Sequence, residues 1–340
     1  MKRLMGHALF WPVVTLTLLI VVSAIFNPSF LRIAWQDGHL YGNLVDILNR
    51  AAPLIVVSMG MTLVIAVRGL DISVGAVVAI AATVAALMIG GSFNAGGEVA
   101  SNYPLWLALG TALAIAAACG LWNGLLVVKA GMQPIVATLI LMVAGRGIAQ
   151  LLTGGQIITV YYPPFFTIGN GFLLGVPVAL WIAASLWGVL HLALSRTALG
   201  LFIRAIGGNP EAARVAGVRS TTITLCVYTF CGLAAGVAGL IISSNVKSAD
   251  ANNAGQLLEL DAILAVTLGG TALTGGRFTL AGTVIGALII QTLTSMIYSL
   301  GVPPEVNLVV KAMLVFAVML LQSGEFRALL ARTVRSEQTR

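Results

Sequence analysis

Long apolar runs, each close to the length of a membrane-spanning helix, recur along this sequence and constrain its fold. A bilayer core about 30 Å thick is crossed by about 20 helical residues at 1.5 Å per residue. Hydrophobic residues make up 59% of the 340 residues and charged residues only 9%, whereas a soluble domain carries roughly 25% charged residues. The chain lacks the polar surface of a water-soluble protein. It is therefore predicted to be an all-α integral membrane protein.

About ten such runs are present, which predicts about ten transmembrane helices. They cover residues 10–26, 48–67, 72–90, 104–128, 134–152, 176–194, 221–246, 261–276, 280–300 and 305–322. We expect residues 1–322 to form a single transmembrane domain and residues 323–340 to form a basic cytoplasmic tail. The run 261–276 is short and rich in glycine, which predicts a broken or re-entrant helix.

Lysine and arginine residues indicate the orientation of these runs. If Met1 is cytoplasmic, only Arg32 and Lys247 fall in outside loops, whereas Glu98 and Glu259 fall outside or at the outer boundary. Cytoplasmic loops carry an excess of lysine and arginine. The basic residues on the inside are Arg68, Lys129, Arg277, those of the loop 195–220 and those of the tail. Both termini are therefore predicted to be cytoplasmic.

Several classes of function are disfavoured by what the sequence lacks. The 18 basic residues are scattered between apolar runs despite a net charge of +7, so nucleic-acid binding is not expected. The sequence has no phosphate-binding loop, no Gly-x-Ser-x-Gly elbow and no His-Glu-x-x-His helix. Cys119, Cys226 and Cys231 lie within apolar runs and are interpreted as packing residues. No catalytic residue and no metal site are predicted.

The inside loop 195–220 contains the signals of a short capped helix. Asn209 is a favourable N-cap, Pro210 suits the first helical position, and Gly217 closes the segment. Such a helix at the cytoplasmic surface is suited to docking a soluble partner, although the loop alternatively serves only to carry positive charge. The candidate docking residues are Gly208, Asn209, Pro210, Glu211, Ala212, Ala213 and Arg214.

Polar residues within or next to the spans are candidates for a substrate path. Asp71 and Ser73 interrupt apolar sequence between the second and third runs, and they either face a water-filled cavity or, in the case of Asp71, cap the third helix. Asn123, Arg146 and Gln150 lie inside runs. Ionisable groups at this depth usually face the interior of a bundle, and amides and guanidinium groups suit uncharged hydroxylated substrates. The alternative is that these groups bond helices together.

Two further polar features have alternative interpretations. For Arg50 we favour pairing with Asp46 one turn earlier. The outside loop 247–256 contains Asp250, Asn252 and Asn253, which either receive an extracellular donor protein or are simply solvated. Leu-Asp pairs at 70–71 and 260–261 also suggest an internal two-fold repeat.

Several motifs in this sequence resemble those of a known family. The resemblance is to bacterial sugar permeases of the ribose, xylose and galactose type, which are membrane subunits of ATP-binding-cassette importers. Among them, the segments 35–38, 46–53 and 249–255 are most similar to the permeases of galactofuranose importers. The family motifs lie at residues 60–66, 69–75, 133–139, 207–209, 212–213, 217–218, 268–270 and 275–277.

The resemblance implies a bacterial inner-membrane protein that works by alternating access. It implies two permease subunits around a central path, the second one a paralogue in the galactofuranose system, and a periplasmic sugar-binding protein. It also implies cytoplasmic ATPase partners that bind ATP and Mg²⁺, so that no cofactor is expected on this chain. Arg68 departs from the family pattern, which has a small residue there, and it predicts a local ion pair with Asp71.

The alternative function is that of an ion-coupled secondary sugar transporter, which also uses broken helices and polar groups at depth. Such a transporter needs a relay of buried carboxylates. No Asp or Glu falls in the middle of a predicted run, since Asp46, Asp71, Asp261 and Glu305 lie at boundaries. A membrane scaffold without transport activity is a third class, but it leaves the capped loop unexplained.

Overall fold

The computed structural model describes residues 9–26, 30–36, 38–90, 92–93, 99–299 and 301, with separate residues between 306 and 320. Most of the predicted run 305–322 and all of the tail 323–340 lie outside the described residues. The long apolar runs within the described residues are helical, which confirms the predicted all-α class.

The described elements follow the apolar runs closely. The helices are α1 (Phe10–Phe26), α2 (Asn43–Ala66), α3 (Val74–Ile89), α4 (Leu105–Val128), α5 (Pro134–Thr153), α6 (Pro163–Asn170), α7 (Val178–Arg196), α8 (Leu199–Gly208), α9 (Pro210–Val215), α10 (Ser220–Val246), α11 (Leu258–Leu268) and α12 (Leu280–Ser299). The strands are β1 (Ala34–Gln36), β2 (His39–Tyr41), β3 (Ser92–Phe93), β4 (Val99–Ala100), β5 (Ile158–Thr159), β6 (Phe172–Leu173), β7 (Val176–Pro177) and β8 (Ser248–Ala249).

The short strands pair in four antiparallel ladders outside the helices. They are β1 with β2, β3 with β4, β5 with β8, and β6 with β7. The pairing of Ile158 with Ala249 links the segment after α5 to the segment after α10. This link fixes one end of the loop that leads into α11.

Six of the described helices, α2, α4, α5, α7, α10 and α12, are long and apolar enough to cross a membrane. Helix α11 is not, because its 11 residues extend only about 16 Å at 1.5 Å per residue. It ends at Gly269, and an irregular segment then leads to α12. The prediction of a broken helix in the run 261–276 is therefore confirmed.

Helix α2 is the centre of the bundle. It is apolar on all sides, and its residues from Ala51 to Ala66 are buried, as expected for a helix surrounded by other helices. It packs against α7, α10, α11 and α12, and α10 in turn packs against α3 and α4. Ala and Gly are frequent at these contacts, which lets the helix axes approach closely.

Glycine residues lie where helices cross. Gly120 of α4 faces Gly232 of α10, and a Cβ added to Gly120 lies 3.0 Å from the Gly232 Cα and closer still to the Tyr228 carbonyl oxygen. Gly282 and Gly286 of α12 meet the backbone of Gly269 and Ala265 in the same way. Because lipid provides no hydrophobic force between helices, this close packing holds them together.

Replacing Gly120 by alanine tests the crossing of α4 and α10. The added Cβ collides with the Tyr228 carbonyl group, and overpacking of this kind costs about 1–3 kcal/mol. We expect a lower thermal midpoint for the variant in detergent. Gly110→Ala is the matched control, because Gly110 lies on the same helix and no described atom is within 4 Å of its added Cβ. Equal midpoints for the two variants are the result that contradicts the crossing.

Candidate functional site

The inside loop contains the predicted capped helix. Helix α9 begins at Pro210, and the Asn209 Oδ1 accepts a hydrogen bond from the Ala212 N–H at 3.1 Å. Glu211 and Arg214 form a salt bridge of 3.2 Å with side chains 80% and 72% exposed. Ala213 is buried and holds the helix against the bundle. The helix thus presents a charged, exposed face, and its docking role stays a prediction.

Arg68 connects the end of α2 to the start of this docking helix. Its Nε donates to the Gly207 carbonyl oxygen at 2.7 Å, and its Nη2 donates to the Gly208 carbonyl oxygen at 2.5 Å. These carbonyl groups end α8, where the helix dipole favours a positive charge. The predicted ion pair between Arg68 and Asp71 is not formed. No local pattern indicates the actual partners, because they lie about 140 residues away in the sequence.

Three segments meet around this arginine. The Gly276 N–H donates to the Ala66 carbonyl oxygen at 3.0 Å, and a Cβ added to Gly207 collides with both groups. We call this cluster of Ala66, Arg68, Gly207, Gly208 and Gly276 the glycine junction. Only glycine at 207 lets the end of α8 approach the end of α2 and the segment between α11 and α12 this closely.

The polar residues between the second and third spans form a closed cluster. The Asp71 Oδ1 accepts hydrogen bonds from the Ser73 N–H at 3.0 Å and the Ser73 Oγ at 2.7 Å. The Asn123 Nδ2 donates to the Ser73 Oγ at 2.8 Å and lies 3.3 Å from the Asp71 Oδ1. All three side chains are buried. Asp71 therefore holds the turn that begins α3, and its place on a substrate path stays a prediction.

Arg146 and Gln150 hold the loop that precedes α11. The Arg146 Nη1 donates to the carbonyl oxygens of Ala251 at 3.1 Å and Ala254 at 2.6 Å. The Gln150 Nε2 donates to the Asn252 Oδ1 at 2.7 Å. The structure thus brings together two sets of residues that the sequence assigned to separate roles. The contacting residues are 105 and 102 positions apart in the sequence, so no local sequence pattern indicates these contacts.

The loop itself is ordered by Asp250. Partial burial opposes its ionisation, but hydrogen bonds from the Asn253 side chain and from the N–H groups of Asn252 and Asn253, together with the nearby Arg146, lower the pKa of Asp250 below its ordinary value. Asn252 and Asn253 remain exposed at the surface of the loop. They are available to a partner, and their docking role stays a prediction.

Glu259 is buried within the protein, and its predicted place outside or at the outer boundary of the membrane stays a prediction. It lies in the first turn of α11 and is 4% exposed, next to Gly75 at the start of α3. The end of the loop held by Arg146 packs closely against the start of α3, where Gly255 lies next to Gly75 and Val78, and the Glu259 carboxyl group is buried at this contact. The two Leu-Asp pairs do not occupy equivalent positions, since Asp261 lies within α11 whereas Asp71 precedes α3. The internal two-fold repeat that they suggested stays a prediction.

Asp46 and Arg50 are the remaining charged candidates. Both residues are described, and no salt bridge joins them, so the favoured pairing is wrong. Both instead line a polar cavity of about 600 Å³ between α2, α6, α10 and α12. Asp46 and Arg50 lie one turn apart and therefore on the same face of α2. Both side chains line this cavity instead of forming an ion pair with each other.

Comparisons with known proteins agree with this architecture. The family described as "Branched-chain amino acid transport system / permease component" matches residues 43–319. The chain is 47% identical over 96% of its length to the galactofuranose transporter permease protein YtfT of Escherichia coli, of which 94% is covered. It is 36% identical over 98% of its length to the fructose import permease protein FruF of Bifidobacterium longum, of which 93% is covered.

A third relative is the ribose import permease protein RbsC of Escherichia coli. It is 35% identical over 91% of this chain, and 92% of the relative is covered. No solved structure matches the chain.

Replacing Arg68 by methionine tests the glycine junction. Methionine keeps an unbranched stem but removes both hydrogen bonds to the end of α8, a loss of about 1 kcal/mol or more. We expect the amide hydrogens of residues 207–215 to exchange about fivefold faster or more. Arg196→Met, at an exposed arginine that ends α7, is the matched control and leaves this segment unchanged. Identical exchange in the two variants would show that Arg68 does not hold the junction.

Proposed function

The chain belongs to the family of permease components of branched-chain amino acid transport systems, and on this premise we propose that it imports a monosaccharide, most specifically galactofuranose. It is a multi-pass membrane permease, and in this proposal it is the translocation subunit of an ATP-binding-cassette importer of the bacterial inner membrane. The observation that carries the proposal is the 47% identity to a galactofuranose transporter permease, along nearly the full length of both chains.

The sugar substrate has further support from the relatives. Two more of them, at 36% and 35% identity, are a fructose import permease and a ribose import permease. Amide and guanidinium groups within the bundle suit uncharged hydroxylated molecules, because they bond hydroxyl groups without needing a counter-charge. A sugar therefore fits this chain better than the branched-chain amino acid in the family description.

The proposed work of the chain is mechanical rather than catalytic. A partner ATPase in the cytoplasm binds ATP and Mg²⁺ and docks on α9 through its exposed charged face. Closure of the ATPase pair displaces α9, and Arg68 transmits that displacement to the end of α2. The helices then rock between two arrangements that open the path to opposite sides. Both termini lie in the cytoplasm in this orientation.

Two further partners complete the proposed importer. A periplasmic sugar-binding protein docks at the exposed loop residues Asn252 and Asn253, which Asp250 and Gln150 hold in place. A second permease, a paralogue of this chain, encloses the path from the other side. In this proposal the buried Asp71 and the half-buried Arg146 border the path. Both groups are engaged in hydrogen bonds, so sugar binds them only when the helices move.

Co-purification from mild detergent tests the importer proposal. We expect the tagged chain to carry with it a cytoplasmic ATPase and a second permease, identified by mass spectrometry. Recovery of the chain alone under several gentle conditions favours the ion-coupled transporter. The two also differ in energetics, since uptake into vesicles driven by ATP survives a proton uncoupler and ion-coupled uptake does not.

Charge reversal on α9 tests the docking face. Glu211→Lys and Arg214→Glu each break the salt bridge, and loss of a charged interface contact lowers association at least about tenfold. We expect sugar uptake to fall in both variants while their amounts in the membrane stay normal. The double variant restores an ion pair within the helix, but with the two charges exchanged. It remains defective if the partner contacts these charged groups directly. Arg196→Glu is the control, and normal uptake in the single variants removes the docking assignment.

A further inference from the structure

The polar cavity lies at the ends of helices that the predicted orientation places on the periplasmic side. Its volume is about 600 Å³, within the range of about 300–1,000 Å³ that is usual for small-molecule sites. The first turns of α2, the last residue of α6, the last turn of α10 and the last part of α12 line it. A smaller space of about 130 Å³ adjoins it and shares Asp46 and Arg50.

Two helices direct their polar residues into this cavity. On α2, residues 46, 49, 50 and 53 recur at the spacing of one helix face, and on α12, residues 291, 294 and 298 do the same. Charged groups within a spanning segment are costly, by about 2.5–3.5 kcal/mol each at the bilayer centre, unless they meet water or a polar partner. Two charged side chains on α2 face uncharged polar side chains on α12 across this cavity, which indicates a water-filled space.

The cavity offers hydrogen-bonding groups that the chain does not use. Among the described residues, the Asn49 Oδ1 has no hydrogen-bond partner, although its Nδ2 lies 3.4 Å from the Gly169 carbonyl oxygen. Pro53 has no N–H, so the Asn49 carbonyl group also lacks its usual helical donor. Asp46 and Arg50 form no salt bridge with each other. Asp46 and Arg50 are exposed and free to bind a ligand that both donates and accepts, and the Asn49 Oδ1 is a buried acceptor left without a donor.

Helix packing separates the cavity from the other end of α2. Gly60 lies against the Cα of Cys231 on α10 and leaves no room for a side chain. Two residues further on, the hydroxyl groups of Thr62 and Thr283 share a hydrogen bond of 2.7 Å. The space therefore ends within the bundle and has the form of a receiving site that is open at one end.

The lining selects for a neutral molecule with several hydroxyl groups. The opposite charges of Asp46 and Arg50 cancel, so the site attracts neither an anion nor a cation as a whole. Amides from Asn49, Asn245 and Gln291 donate and accept within the same space. A branched-chain amino acid needs an apolar pocket for its side chain, whereas a monosaccharide can use all these groups.

We propose that this polar cavity is the site where the permease receives a monosaccharide from the periplasmic side, with Asn49 and Arg50 as its binding residues. The inference rests on the proposed import function and adds a location to it. Neither of these two residues was assigned to the substrate path from the sequence.

Cysteine labelling tests the site in right-side-out membrane vesicles that contain the chain with its native partners. Cys119, Cys226 and Cys231 are first replaced by alanine, and Gln291→Cys is then labelled with a membrane-impermeant maleimide. D-galactose, whose solution equilibrium includes the furanose form, is the sugar probe. Gln156→Cys, in the exposed turn after α5, is the matched control for labelling from outside. Asn245→Cys is a second cavity position in case the first variant does not fold.

We expect Gln291→Cys to react and galactose to slow the reaction about tenfold at about ten times its apparent Kd. Gln156→Cys reacts equally with and without galactose, and leucine protects neither position. The inference is overturned if neither cavity cysteine reacts, if galactose leaves the reaction unchanged, or if leucine protects as well as galactose. Absence of reaction assigns the cavity to a partner subunit or lipid, and protection by leucine assigns it to an amino acid.

Uptake by the cysteine-free background separates this inference from the import proposal. If galactose protects Gln291→Cys but uptake does not depend on ATP, the site stands and the importer proposal fails. If uptake depends on ATP but galactose does not protect, the importer proposal stands and the site lies elsewhere.

Discussion

Close backbone contact at small residues is the constraint on which the rest of this structure depends. In lipid, apolar side chains gain little by leaving one helix surface for another, so helices associate by fitting closely together. Here the fit is made where Gly120 meets Gly232, where Gly60 meets Cys231, and where Gly286 meets Ala265. A side chain at any of these glycines displaces a backbone, not merely a neighbouring side chain. The positions of the helices are therefore fixed by where glycine occurs.

This packing leaves α2 buried at the centre and concentrates polar groups at its two ends. One end carries Arg68 and the glycine junction with α8. The other carries Asn49 and Arg50 in the polar cavity. Between them the helix is apolar and enclosed, and its 24 residues extend about 36 Å. In the proposed importer, a single rigid helix joins the region that contacts the ATPase to the region that receives sugar.

The features that local sequence controls were predicted well. The capped helix α9 was predicted in place, because an N-cap and its N–H partner lie within one helical turn, as Asn209 and Ala212 do. The broken helix at α11 was predicted because glycines interrupt an apolar run too short to cross a bilayer. The family resemblance also came from motifs that are contiguous in the chain, and the comparisons confirm it.

The partners of individual polar side chains were not predictable in this way. Arg68 was expected to pair with Asp71 nearby in sequence, but it reaches Gly207 and Gly208 instead. Arg50 was expected to pair with Asp46, but the two line a cavity. Sequence proximity was the only available guide in both cases. Polar residues repeat at the spacing of one helix face on α2 and, separately, on α12. This repeat was a weak signal of the cavity between the two helices.

The sequence by itself determined that this chain crosses a membrane many times, that one loop carries a capped helix, and to which family it belongs. These properties depend on composition, on run length and on contacts within one turn. The tertiary structure alone decided which polar groups meet, because those contacts join segments that are far apart in the chain. The cavity between α2 and α12 arises only when the helices are assembled, since each helix contributes one part of its wall.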